Sequence, residues 1–123
     1  MAVNNPLQDG CDFNPYRQGN QTFFGVGASF AIDSSQPFTV VTQFITNDNT
    51  DTGTLVAIRR LYRQGGRTVP LPTVSVGGSA FNSVTDSYCS AQKKAFGDTD
   101  GFEQRGGLRA LGADLEKGMV CYI

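Results

Sequence analysis

Apolar and polar residues alternate most clearly over PFTVVTQFIT, residues 37–46, where Phe38, Val40 and Phe44 take one face and Val41 and Ile45 the other. A period of two predicts a strand, and apolar residues on both faces predict that both are covered. NDNTDTG then turns the chain and TLVAIRRLYRQ returns it, with Val56, Ile58 and Tyr62 alternating against Leu55, Ala57 and Leu61. Gln64-Gly65-Gly66-Arg67 reads as a hairpin turn into RTVPLP, whose prolines suit an edge strand. Upstream, TFFGVG and SFAID are short strand candidates interrupted by glycine. Residues 1–21 read as loop, with turn signals at Asp9-Gly10, Asn14-Pro15 and Gly19-Asn20.

Beyond residue 80 the period lengthens. In SVTDSYCSAQKKAF, Ser83 is the expected N-cap with Asp86 three positions on, a start like a capping box. Val84, Tyr88, Ala91 and Ala95 then share one helical face. GGLRALGADLEKG predicts a second helix with Leu108, Leu111 and Leu115 turned inward, and MVCYI opens as a strand. Asp98 and Asp100 in GDTDG read as loop and helix cap, and the pairs Lys93-Lys94 and Arg59-Arg60 as solvated charge. The fold class is all-β with short helices, laid against antiparallel sheet and without internal repeats.

Composition narrows the function classes. A chain of 123 residues holds one modest domain, and its 15 glycines and 5 prolines point to many turns. Its formal charge of −1 is spread along the chain, so no basic stripe is present to track the phosphates of a nucleic acid. No apolar run approaches the roughly 18 residues of a membrane span, and MAVNNPLQ has neither the basic nor the apolar region of a signal peptide. Histidine is absent, which excludes a catalytic Cys–His pair within the chain and makes three widely spaced cysteines a poor zinc set. Cys11, Cys89 and Cys121 fit a long-range disulfide between two of them, and hence an oxidising compartment. Asn20-Gln21-Thr22 is an N-glycosylation acceptor, as a secreted surface loop carries.

The densest chemistry lies in DGCDFNPYRQGNQTFFG, residues 9–25, which gathers Asp9, Asp12 and Arg17 around Cys11. Two readings stand at this point: a surface turn with solvated charges, or a pinned turn that holds polar side chains toward a ligand. Phe13, Tyr16, Phe23 and Phe24 could stack on a ring, although core packing suits Phe23 and Phe24 better.

That segment, followed in order by PFTVVTQFIT, SVTDSYCSAQKKAFGD and GGLRALGADLEKGMV, resembles the central part of the catalytic domain of glycoside hydrolase family 7. These are the fungal cellobiohydrolases and related endoglucanases, and the resemblance spans roughly residues 9–120. It implies a secreted, disulfide-rich, concanavalin A-like β-jelly-roll sandwich, monomeric and without cofactor or metal. Such a domain cleaves the β-1,4-glucosidic bonds of cellulose or cello-oligosaccharides with retention of configuration. The family's Glu-x-Asp-x-x-Glu signature supplies the carboxyl pair, about 5–5.5 Å apart, that retention demands. This chain has only Glu103 and Glu116, and neither begins that pattern.

The resemblance therefore implies that residues 1–123 are an incomplete central fragment of one catalytic domain, inactive alone. Its ends, MAVNNPLQ and CYI, depart from the family pattern, as a truncated gene model would. By the resemblance, Asp9, Asp12 and Arg17 hydrogen-bond the leaving cellobiose at the product end of the cleft, and Arg105 sits near the same exit. Asp12 and Arg17 lean toward a cellobiohydrolase. Cys11–Cys89 matches a family disulfide, while Cys121 has no counterpart and is expected to be unpaired. The alternative from another class is a stand-alone, non-catalytic β-sandwich that binds glucan. The lack of Trp argues against it.

Overall fold

The computed structural model of the chain describes residues 10–118. Its largest sheet is antiparallel, in the order β3 (Thr39–Thr46), β4 (Leu55–Gln64), β5 (Arg67–Pro70). Before it, β1 (Phe24–Gly25) and β2 (Ile32–Asp33) form a short parallel pair. After it, β6 (Val74–Val76) and β7 (Ser79–Phe81) form a hairpin. Three short helices follow: α1 (Asp86–Ala95), α2 (Gly101–Gln104) and α3 (Gly107–Glu116). The expected strand over MVCYI lies outside the described residues.

The β4–β5 turn at Gly65-Gly66 has φ of +57° and +76°, the geometry that lets two strands return without splaying. VSVGGSAF repeats the device at Gly77-Gly78, so the β6–β7 hairpin, absent from the sequence reading, carried a legible signal. The end of β4 is bolted to β2: Asp33 N donates to Gln64 Oε1 at 2.9 Å and Gln64 Nε2 donates to the Asp33 carbonyl at 2.8 Å. The Asp33 carboxylate accepts from the Ser35 hydroxyl at 2.6 Å and from the Gly27 and Ser35 amides. Those bonds, the hydroxyl first, hold its pKa below the usual value.

Register decides which side chains share a face. Val40 lies opposite Tyr62 and Phe44 opposite Ile58, so these residues, with Val56, make one apolar face. At one end Tyr62 is enclosed by the rings of Phe23, Phe24 and Phe38, with centroids 5.6, 5.3 and 6.1 Å away. Over the rest, Val40, Phe44 and Val56 remain 49%, 55% and 43% exposed. The expectation that both faces of β3 are covered is thus corrected. The side chains suit a sheet packed on both sides, yet among the described residues no layer lies over this half of the face. At the start of β4, Leu55 and Ala57 are buried where α3 packs on the strand.

Helix α1 begins two residues later than the capping pattern predicts. Val84 exchanges both backbone hydrogen bonds with Ile58, at 2.9 Å each, and residues paired in a bridge cannot start a helix. Thr85 takes the N-cap instead, its hydroxyl accepting from Tyr88 N at 3.1 Å. Asp86 serves the other helix, accepting from Leu108 N at 3.0 Å. Gly107 allows that approach: it has φ of +64°, and a Cβ there would lie 2.7 Å from Asp86 Oδ1. Leu108 is wholly buried, and Leu111 and Leu115 pack against the core as expected. Lys93 departs from its solvated reading, being 5% exposed, on a helix against which both β6 and α2 pack.

Tyr88 is the hub of this half of the core. It is wholly buried, with the rings of Phe13 and Phe81 at 4.9 and 5.6 Å. Its hydroxyl donates to the Asp12 carbonyl at 2.7 Å and accepts from Gln18 Nε2 at 3.3 Å. Beside it, Cys89 is bonded to Cys11, 78 positions away. Burial first, and the Asp12 charge second, push the Tyr88 phenol up to about 12.

Two outcomes are expected. The folded chain keeps a phenol proton that the unfolded chain, titrating at 10.0, releases, so this stabilisation is complete below pH 10 and fades as pH rises toward 12. Unfolding free energies from denaturant titrations over that range should fall in the wild type by up to about 2 kcal/mol more than in Tyr88→Phe. Reducing Cys11–Cys89 should lower stability by about 4.5 kcal/mol, the chain-entropy value for a loop of this length, read as a shifted unfolding midpoint under reductant.

Candidate functional site

The segment from Cys11 to Asn20 has no ladder to hold it, so turn bonds and packing set its shape. Asn14 organises the turn: its carbonyl accepts from Gln18 N at 3.1 Å and its side chain accepts from Arg17 N at 3.2 Å. Asn20 N closes the turn on the Pro15 carbonyl at 2.9 Å. Phe13 and Pro15 are buried while Asp12, Tyr16 and Arg17 point outward. Phe13 therefore belongs to the core with Phe23, and Tyr16, at 61% exposure, is the aromatic of this loop left open for stacking.

Asp12 and Arg17 meet. Arg17 Nη2 lies 2.5 Å from Asp12 Oδ1, with the side chains 42% and 62% exposed respectively. The guanidinium carbon stands 5.3 Å from the centroid of the Phe96 ring. One terminal nitrogen is thus committed to the carboxylate and one guanidinium face to the ring. Among the described residues its other N–H groups make no hydrogen bond. A half-exposed carboxylate can accept from one hydroxyl while the half-exposed guanidinium beside it donates to the next, the pattern that a vicinal diol presents. An exposed ion pair contributes only about 0–1 kcal/mol to folding, so stability is a weak reason for its placement.

The other expected site residues fall as follows. Arg105 forms the C-terminal cap of α2, which packs on α1, the helix whose own C-terminal cap is Phe96. Asp100 caps α2 by accepting from Glu103 N at 3.0 Å, as the helix-cap reading of GDTDG expects. Asn20 Oδ1 accepts from Thr22 N and Thr22 Oγ1 at 3.3 and 3.4 Å, an Asx turn across the glycosylation acceptor. Asp9 and Cys121 lie outside the described residues. Phe96 and Gln18 are the partners that the sequence reading missed. Nothing in the sequence pairs residue 96 with residue 17, although a large aromatic ending a helix before Gly97 was a cue.

One cavity lies away from this pair. About 720 Å³ opens between the turn at 47–53 and α3, lined among others by Gln43, Ile45, Leu55, Arg59 and Glu116. It touches neither Asp12 nor Arg17. Among the described residues, no three or more His, Cys, Asp or Glu side chains converge in a way that could hold a metal, and no helix is long and apolar enough to cross a membrane.

Comparison with known proteins gives the arrangement its context. Residues 4–123 match the model of the family described as Glycosyl hydrolase family 7. A crystal structure of a GH7 family cellobiohydrolase from Daphnia pulex superposes with a TM-score of 0.86 at 46% identity, covering 90% of this chain and 25% of that one. An endoglucanase I complexed with cellobiose superposes at 0.78 and 29% identity, covering 89% of this chain and 26% of that one. The native Humicola insolens endocellulase EGI gives 0.79 and 30%, with 91% and 26% covered. The chain thus spans about a quarter of the length of these structures. With strands, short helices and nearly the whole sequence accounted for in this way, the chain belongs to glycosyl hydrolase family 7 and forms part of that family's β-jelly-roll sandwich.

Proposed function

We propose that this chain is a central piece of a secreted, retaining cellulase domain of the cellobiohydrolase type, and that it carries part of the product-side subsites. The observation that carries the reading is the exposed Asp12–Arg17 pair. Asp12 accepts from a glucose hydroxyl and Arg17 donates to the next, and by the family resemblance Asp9 and Arg105 are proposed to serve the same product-side subsites. The greater identity to a cellobiohydrolase than to the endoglucanases, 46% against 29% and 30%, supports the subtype.

The piece holds the leaving sugar and does not break the bond. Retention needs two carboxyl groups flanking the scissile linkage. Glu103 lies in α2 and Glu116 ends α3, so neither stands on a strand beside a second carboxylate in the family's signature. The uncovered face at Val40, Phe44 and Val56 supports an incomplete sandwich, because a second sheet packed there completes the layer pair. The same face argues against a self-sufficient glucan-binding module, which has to bury its own core.

The purified chain should not hydrolyse cellulose or a chromogenic cellobioside, and hydrolysis at rates typical of the family would overturn the reading. Cellobiose titration followed by amide NMR should move the Asp12 and Arg17 signals. Asp12→Ala should weaken that binding about tenfold, the weight of one hydrogen bond to a charged group. Expressed through a eukaryotic secretory route, the chain should gain one glycan at Asn20, seen as a mass increment that Asn20→Gln removes.

A further inference from the structure

We infer that Phe96 is a positioning residue for Arg17: its ring holds the guanidinium in the orientation that meets the sugar, and α1 is the rigid mount on which that ring is carried. This rests on the product-side reading of Asp12 and Arg17.

The Phe96 backbone is fixed by the way α1 closes. Phe96 N donates to the Gln92 carbonyl at 3.1 Å, Gly97 N to Lys94 at 3.2 Å and Asp98 N to Lys93 at 2.9 Å, with Gly97 at φ of +68°. These bonds satisfy the last carbonyls of the helix and leave the ring at a defined place. The ring itself is 47% exposed, so it adds little to the core. Among the described residues the ring meets Arg17, whose guanidinium carbon stands 5.3 Å from its centroid. That distance lies inside the roughly 6 Å range of a cation–π contact.

The same helix also holds the rest of the clamp. Cys89 bonds Cys11, and the Tyr88 hydroxyl takes the Asp12 carbonyl and the Gln18 amide. Asp12 by its backbone and Gln18 by its side chain are therefore registered to one end of α1, and the Arg17 guanidinium to the other, about 10 Å along the axis. A cation at the C-terminal end of a helix is also favoured by the negative end of the helix dipole. An arginine held only by an exposed carboxylate swings about that contact. The ring fixes its plane, and with it the direction of the N–H groups that remain free of hydrogen bonds among the described residues.

The test uses the full chain, Phe96→Leu, which keeps apolar bulk without a π face, and Phe96→Tyr, which restores the face. In the wild type the Arg17 Nε–H signal should show the upfield ring-current shift of a stacked guanidinium. Phe96→Leu should abolish the shift and Phe96→Tyr should keep it. Cellobiose, titrated by amide NMR, should bind roughly threefold more weakly to Phe96→Leu, the weight of an exposed cation–π contact, with recovery in Phe96→Tyr. Equal affinity of wild type and Phe96→Leu would overturn the positioning role and leave the clamp standing. No response of the wild type to cellobiose would overturn the clamp and the positioning role with it.

Discussion

The bond between Cys11 and Cys89, with the Tyr88 phenol beside it, is the constraint on which the shape of the loop from Cys11 to Asn20 depends. Ordering a residue costs about 1–2 kcal/mol of backbone entropy, and the segment from Cys11 to Asn20 belongs to no helix or strand. The contacts at its rim are small by comparison: an exposed ion pair contributes about 0–1 kcal/mol and an exposed cation–π contact about 0.5–1. Neither can hold the loop, and both need the loop already in place. The disulfide supplies that order from 78 positions away, and burial of Phe13, Pro15 and the Tyr88 ring completes it. The direction of dependence is therefore from core to rim. The buried groups make the charged pair possible, and the charged pair contributes little to folding.

A second tension runs through the sheet. Tyr62 and Leu55 are buried on opposite faces at opposite ends of β4, Tyr62 under three aromatic rings and Leu55 where α3 packs on the strand. Between those covers, the face bearing Val40, Phe44 and Val56 is open. Each such side chain contributes on the order of 1.5–3 kcal/mol when fully removed from water, a gain that the described residues leave unrealised. The α1–disulfide half is thus internally satisfied, while the hairpin half is built to be covered. The two differ in how far their local structure depends on anything beyond this chain.

Much of this was legible in the sequence, and the parts that were not have physical reasons. The β3–β4–β5 meander follows from period-two alternation and a double-glycine turn, and both longer helices follow from apolar spacing. The start of α1 was misplaced because Val84 is claimed by Ile58, a pairing of residues 26 apart that no local pattern encodes. Exposure of Phe44 was misjudged because alternation reports what a face is suited to, not what lies on it. Asp12 and Arg17 stand out as chemistry in the chain and are brought together in space. Phe96 was invisible as a site residue, because its role comes from the position of a helix end relative to a loop tied down elsewhere.

Helix α1 joins these threads. Its buried side carries Tyr88 and Cys89, which order the loop, and its C-terminal cap carries Phe96, against which that loop's arginine rests. One helix therefore sets both the position and the orientation of the charged pair, so a displacement of α1 moves Asp12, Arg17 and Phe96 together. On the product-side reading, affinity built this way is modest by construction, resting on half-exposed groups that water continues to compete for, and that is the appropriate magnitude. Interactions that hold a leaving sugar as tightly after bond cleavage as during it add nothing to the chemical step and slow release. A preorganised but solvent-exposed clamp orients the sugar and still lets it go.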